Sequence, residues 1–87
     1  MLTATQYQIL KFIHDHYAKI GNAPSVREIM KHLGFKSVNS VFGYIKRMTE
    51  SGYLTKQDGV ARGVRLTKTG VEALNAYADT IRLLSGI

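Results

Sequence analysis

Apolar residues recur every three or four positions through most of the chain, give way briefly to alternation, and then return to the longer period. The first stripe is Ile9, Phe12, Ile13, Tyr17 and Ile20. This is the period of a helix with one buried face. Thr3 or Thr5 can cap its start, Gly21-Asn22 ends it, and Pro24 enforces an extended break. A second helix has a sharper signal. Ser25-Val26-Arg27-Glu28 fits a capping box, with Val26, Ile29, Met30 and Leu33 pointing inward and Gly34 as a left-handed stop. So short a helix does not persist alone and must be held by its neighbours. A third helix starts at Ser37 or Asn39, buries Val38, Val41, Tyr44, Ile45 and Met48, and ends at Ser51-Gly52.

Alternation follows. Tyr53-Leu54-Thr55-Lys56 reads as a strand, residues 57–63 as a glycine-bearing turn, and Val64-Arg65-Leu66 as the return strand. The helical period then resumes at Val71, Leu74, Ala78 and Ile81, with Tyr77 and Leu84 beside them. Thr69 with Glu72 offers a capping box for this helix, and Thr67 is a second cap candidate. A short helix, a tight glycine turn and a further helix, docked on a first, make a helix-turn-helix unit. With the hairpin behind it, the expected fold is mainly α with a small β-hairpin: a winged helix-turn-helix. Residues 1–67 form the DNA-binding domain, a three-helix core plus wing, and residues 68–87 a C-terminal helix and possible dimerisation element.

Length and composition narrow the functional classes. With 87 residues there is room for one small core. The absence of cysteine excludes disulfides, thiolate metal sites and cysteine nucleophiles. No apolar run exceeds three residues, and the start of the chain lacks the pattern of a signal peptide. A cytoplasmic location is expected by elimination. The formal charge is +6, and residues 27–68, with nine basic and three acidic side chains, supply all of it. A localised excess favours a polyanionic partner through counterion release, although ordinary surface lysines give the same count.

The third helix connects charge to pattern. At about 100° per residue, Asn39, Gly43, Lys46 and Glu50 lie opposite the Val41, Ile45 and Met48 stripe, with Lys36 and Arg47 at the flanks. Glycine in a helix interior costs about 1 kcal/mol relative to alanine. It is either tolerated on a solvated face or needed for close approach to a surface. The major groove admits a helix, asparagine and serine can exchange hydrogen bonds with base edges, and Lys36, Lys46 and Arg47 can reach phosphates.

The segment PSVREIMKHLGFKSVNSVFGYIKRMTESGYL, followed by DGVARGVRL, strongly resembles the N-terminal DNA-binding domain of LexA-type SOS repressors. LTATQYQILKFIHDHYAKIGNAPS matches too, so the resemblance covers about residues 2–66. It implies a dimeric transcriptional repressor on an inverted-repeat operator, acting by promoter occlusion. It also implies base reading by Ser37, Asn39, Ser40, Phe42 and Gly43, and backbone contacts from Ser25, Arg27, Lys46, Arg47 and Arg62. Phe42 is not a typical polar reader. It can meet a thymine methyl or cover the helix edge as core. The hinge cleavage site and serine-lysine peptidase of those repressors have no counterpart before Ile87, so self-cleavage is not expected. LTKTGVEALNAYA is more similar to the wing-to-helix junction of MarR-type regulators, which suggests dimerisation through Val71, Leu74, Tyr77, Ala78 and Ile81; the alternative is that this helix packs on its own domain.

Other chemistry is less supported. His14 and His16 diverge by about 200° on a helix, so with Asp15 and the remote His32 they read as solvated or capping residues, not metal ligands. No phosphate-cradling loop and no nucleophile with a placed base appears. The expected protein is not an enzyme, needs no cofactor and does not enter a membrane. The alternative to a DNA-binding regulator is a winged-helix module that binds another regulator or a replication protein.

Overall fold

The computed structural model describes residues 2–57 and 62–86. Helix α1 spans Ala4–Ile20, α2 Val26–Leu33 and α3 Val38–Glu50; strands β1, Leu54–Lys56, and β2, Val64–Leu66, precede α4, Lys68–Leu84. The strands pair antiparallel, Leu54 opposite Leu66 and Lys56 opposite Val64. This is the winged helix-turn-helix with an added C-terminal helix. Residues 58–61 of the expected turn lie outside the described residues. Among the described residues, no helix is long and apolar enough to cross a membrane.

Local chemistry explains the boundaries. Thr3 and Ser25 each complete a capping box, with Gln6 and Glu28 as the reciprocal partners. Gly34 takes a left-handed conformation, and the Phe35 N–H reaches back to the Met30 carbonyl, which closes α2 and sets the turn into α3. Ser37 caps α3 through the Asn39 N–H. Thr67, rather than Thr69, caps α4. Its hydroxyl oxygen accepts the Gly70 N–H at 2.9 Å and the hydroxyl donates to the Gly52 carbonyl at 2.6 Å. That second bond selects Thr67, because it ties the start of α4 to the end of α3.

One core joins all the elements. Ile9, Leu10 and Ile13 of α1 meet Ile29 of α2, Val41, Ile45 and Met48 of α3, Leu54 and Val64 of the hairpin, and Leu74 of α4. Fully burying an aliphatic side chain contributes about 1.5–3 kcal/mol, so Ile29, with the partly buried Val26, Met30 and Leu33, holds the short α2 in place.

Several positions depart from the periodic reading. Leu10 is fully buried although it lies off the expected stripe, and Ile20, on that stripe, is 64% exposed in the last turn of α1. His16 is buried, not solvated. Its Nδ1 carries the proton, because its partner, the Asn22 carbonyl at 2.8 Å, can only accept. The α4 seam divides. Leu74 is buried in the domain's own core, and the Tyr77 ring stacks on Tyr7 at 4.6 Å between centroids. Val71 and Ala78 are half-buried, and Ile81 is exposed. Leu74 and Tyr77 are therefore removed from the expected dimer seam, because α4 folds its apolar face back onto α1.

Candidate nucleic-acid interface

The outer face of α3 follows from what its inner face buries. Val41, Ile45 and Met48 point into the core, so the helix period turns Asn39, Ser40, Phe42, Lys46 and Arg47 outward, and all five are exposed. Gly43 lies among them. A methyl group built on Gly43 would touch only the end of the Arg47 side chain, at 3.9 Å. Nothing among the described residues therefore requires a glycine there. Its absent side chain leaves backbone open to approach.

The start of α3 is a compact polar group. The Ser37 hydroxyl oxygen accepts the Asn39 backbone N–H at 3.1 Å, which fixes the first turn, while the Asn39 side chain stays exposed. Lys36 is exposed immediately before the cap. The Phe42 alternatives separate here: the residue is 43% exposed, so it is not core, and the Lys56 ammonium lies over its ring at 5.0 Å. Lys56 is a neighbour the sequence reading did not include, brought there by strand β1 returning beside α3. The Arg47 guanidinium stacks on Tyr44 at 5.0 Å, and Tyr44 in turn stacks on Phe35 at 5.6 Å. That stack holds a cation in a limited set of orientations without neutralising it.

The electrostatics divide the expected backbone contacts. Ion pairs of the described residues engage Asp15, Glu28 and Asp79, none of which lies on α3. Lys36, Lys46 and Arg47 therefore form no ion pair among the described residues, and they outnumber Glu50, the one acidic residue of α3. At the start of α2, Arg27 is exposed and Ser25 is half-buried, with its hydroxyl engaged as the cap. Arg62 differs from all of these. Its Nη1 pairs with Glu28 Oε1 at 2.6 Å and also donates to the Ala23 carbonyl at 2.9 Å. The Glu28 carboxyl is held down at about 2, first by the Ser25 backbone N–H and then by Arg62.

Elsewhere the described residues hold no cluster of three or more potential metal ligands. His32 stacks on Phe12 at 4.1 Å, and His14 lies beside Asp15 on the exposed side of α1.

The chain matches the model of the LexA DNA-binding domain over residues 1–63. It is 38% identical over 80 residues to a LexA repressor of Leuconostoc citreum, which covers 90% of this chain and 38% of that protein. A LexA repressor of Pectobacterium carotovorum is 35% identical over 98% of this chain and 44% of its own length. One from Teredinibacter turnerae is 43% identical over 75% of this chain and 32% of its own length. The chain thus spans less than half the length of these relatives. With the helix-turn-helix, the hairpin wing and the uncovered polar face of α3 in hand, the match over most of its length shows that this chain belongs to the LexA DNA-binding domain family.

Proposed function

We propose that the domain binds double-stranded DNA sequence-specifically, with α3 seated in the major groove, and serves a transcriptional repressor that occludes a promoter. The observation that carries this reading is the outer face of α3. Its polar and aromatic side chains are exposed, its glycine has empty space beside it, and the cations around it form no ion pair among the described residues. Ser37, Asn39, Ser40, Phe42 and Gly43 meet base edges. Arg27, Lys36, Lys46 and Arg47 hold phosphates, while the Ser25 hydroxyl oxygen and N–H are taken up by the capping box with Glu28. The LexA repressors named above support the repressor assignment, and membership of a DNA-binding family disfavours a protein-interaction module.

One winged helix covers one half-site, so two copies on an inverted repeat follow by symmetry. Ile81, with the half-buried Val71 and Ala78, is the part of the α4 seam left for pairing, and Leu84 is 82% exposed beyond them. So small an apolar contact, offset by association entropy, supports only weak self-association before DNA is present. Ile81→Glu should leave the fold intact and reduce sedimentation to that of a monomer. A dimer of unchanged strength would remove α4 from the interface.

Selection from random duplex DNA tests the function. A palindromic consensus should emerge. Binding to it should fall with salt along a log-log slope of about −5 to −7, for six to eight neutralised phosphates per pair of subunits. A flat salt response, with no enriched sequence, rejects the groove-docked reading.

A further inference from the structure

Four parts of the molecule converge on one carboxylate. Glu28, in the first turn of α2, accepts the Ser25 backbone N–H through Oε1 at 2.8 Å. The same oxygen accepts Arg62 Nη1 at 2.6 Å, and that nitrogen also donates to the Ala23 carbonyl at 2.9 Å. The other carboxylate oxygen lies 3.7 Å from Nε2 of the buried His16, whose Nδ1 holds the Asn22 carbonyl. The wing, the α1–α2 connection, the start of α2 and the inner side of α1 thus share a single polar junction. Arg62 enters it from just before β2, next to Gly63, whose carbonyl accepts the Gln57 N–H at 3.2 Å and closes the base of the wing.

We infer that Arg62 is a positioning residue, which clamps the wing to the start of α2 through Glu28 and Ala23, and is not a phosphate contact. The inference rests on the DNA-binding reading for its effect on affinity, but the clamp itself is a property of the free protein.

Three physical points support it. An exposed ion pair is usually weak because two long side chains must be ordered together. Here the capping box has already ordered Glu28, so only Arg62 loses freedom on pairing. A phosphate brought to the guanidinium would also face the Glu28 carboxylate, a like charge held ionised throughout the neutral range. Finally, Lys36, Lys46 and Arg47 have no such partner among the described residues, so Arg62 stands apart from the cations of α3.

The test uses Arg62→Ala and Glu28→Gln. Glutamine still serves in a capping box, so the second variant removes the ion pair and keeps the start of α2. In the free protein, hydrogen exchange at the Gln57 amide should accelerate by about fivefold in Arg62→Ala, and in the same direction in Glu28→Gln. On the duplex selected by the wild type, Arg62→Ala should bind about fivefold more weakly with an unchanged salt slope. A slope reduced by about one unit identifies a phosphate contact and overturns the proposal. Unchanged Gln57 exchange in Arg62→Ala overturns it as well. If the wild type selects no DNA, the DNA-binding reading fails by itself, and the exchange measurement still decides the clamp.

Discussion

Gly43 and Gly70 are both helical glycines, and their surroundings are opposite. A methyl at Gly70 would run into the backbone carbonyl of Tyr53. That carbonyl is fixed, since it accepts the Thr67 N–H at 3.0 Å. A methyl at Gly43 would find open space, apart from the flexible end of Arg47. Gly43 lies in a helix interior, where glycine costs about 1 kcal/mol against alanine, and Gly70 lies in the first turn of α4, where a penalty of the same sign applies. At Gly70 the penalty is offset by the close seat of α4 on the connection from α3 to β1. At Gly43 no contact among the described residues offsets it. Gly70 therefore reports packing, whereas Gly43 reports open space, which the proposed function assigns to DNA.

The largest expected effect lies on the inward side of this contrast. Gly70→Ala should destabilise the domain by about 2–3 kcal/mol in denaturant unfolding, because a backbone oxygen cannot yield as a side chain would. A neutral or stabilising result would break the comparison. On the outward side, Asn39→Ala should leave stability nearly unchanged and lose about 1–3 kcal/mol of discrimination at one base position. Lys46→Ala should instead weaken all duplexes alike and lower the salt slope by about one unit. Identical base preferences in the Asn39→Ala variant would remove that residue from the reading set.

A smaller effect sharpens the role of the α2 start. Glu28 titrates at about 2 in the folded domain, against 4.5 as its ordinary value. A depressed carboxyl contributes stability that is complete above the unfolded value and is lost as pH falls through the folded one. The contribution of Glu28 should therefore fade between about pH 4.5 and pH 2. Unfolding midpoints of the wild type should fall more steeply across that window than those of Glu28→Gln, and parallel curves would contradict the assignment.

What the sequence made legible was local. The capping box at Ser25 and Glu28, the left-handed stop at Gly34 and the alternation of Val64-Arg65-Leu66 each lie within a few residues, and each fixed an element. The polar face of α3 was legible for the same reason, since the buried stripe determines its opposite. The rest depended on partners far along the chain. Arg62 and Glu28 are 34 positions apart, so no spacing rule joins them. Gly70 is explained by Tyr53, 17 positions earlier, and Phe42 has Lys56, 14 positions later, beside it. The α4 stripe showed that a face was apolar without showing what covers it, and Leu74 and Tyr77 turned out to face α1. Ile20 kept the period of α1 but lies in a last turn that runs past the core, so periodicity overstated its burial.

The central claim is that the empty space at Gly43 admits DNA, and a pair of substitutions at that residue tests it most directly. Gly43→Ala should raise helix stability by up to about 1 kcal/mol. Gly43→Leu should also fold, because the added side chain points into open space. Binding of Gly43→Leu to the wild-type consensus duplex is the deciding measurement. The account predicts a folded protein that no longer discriminates that duplex from random DNA, because the leucine holds the helix away from the groove. Wild-type affinity and specificity in the leucine variant would contradict it.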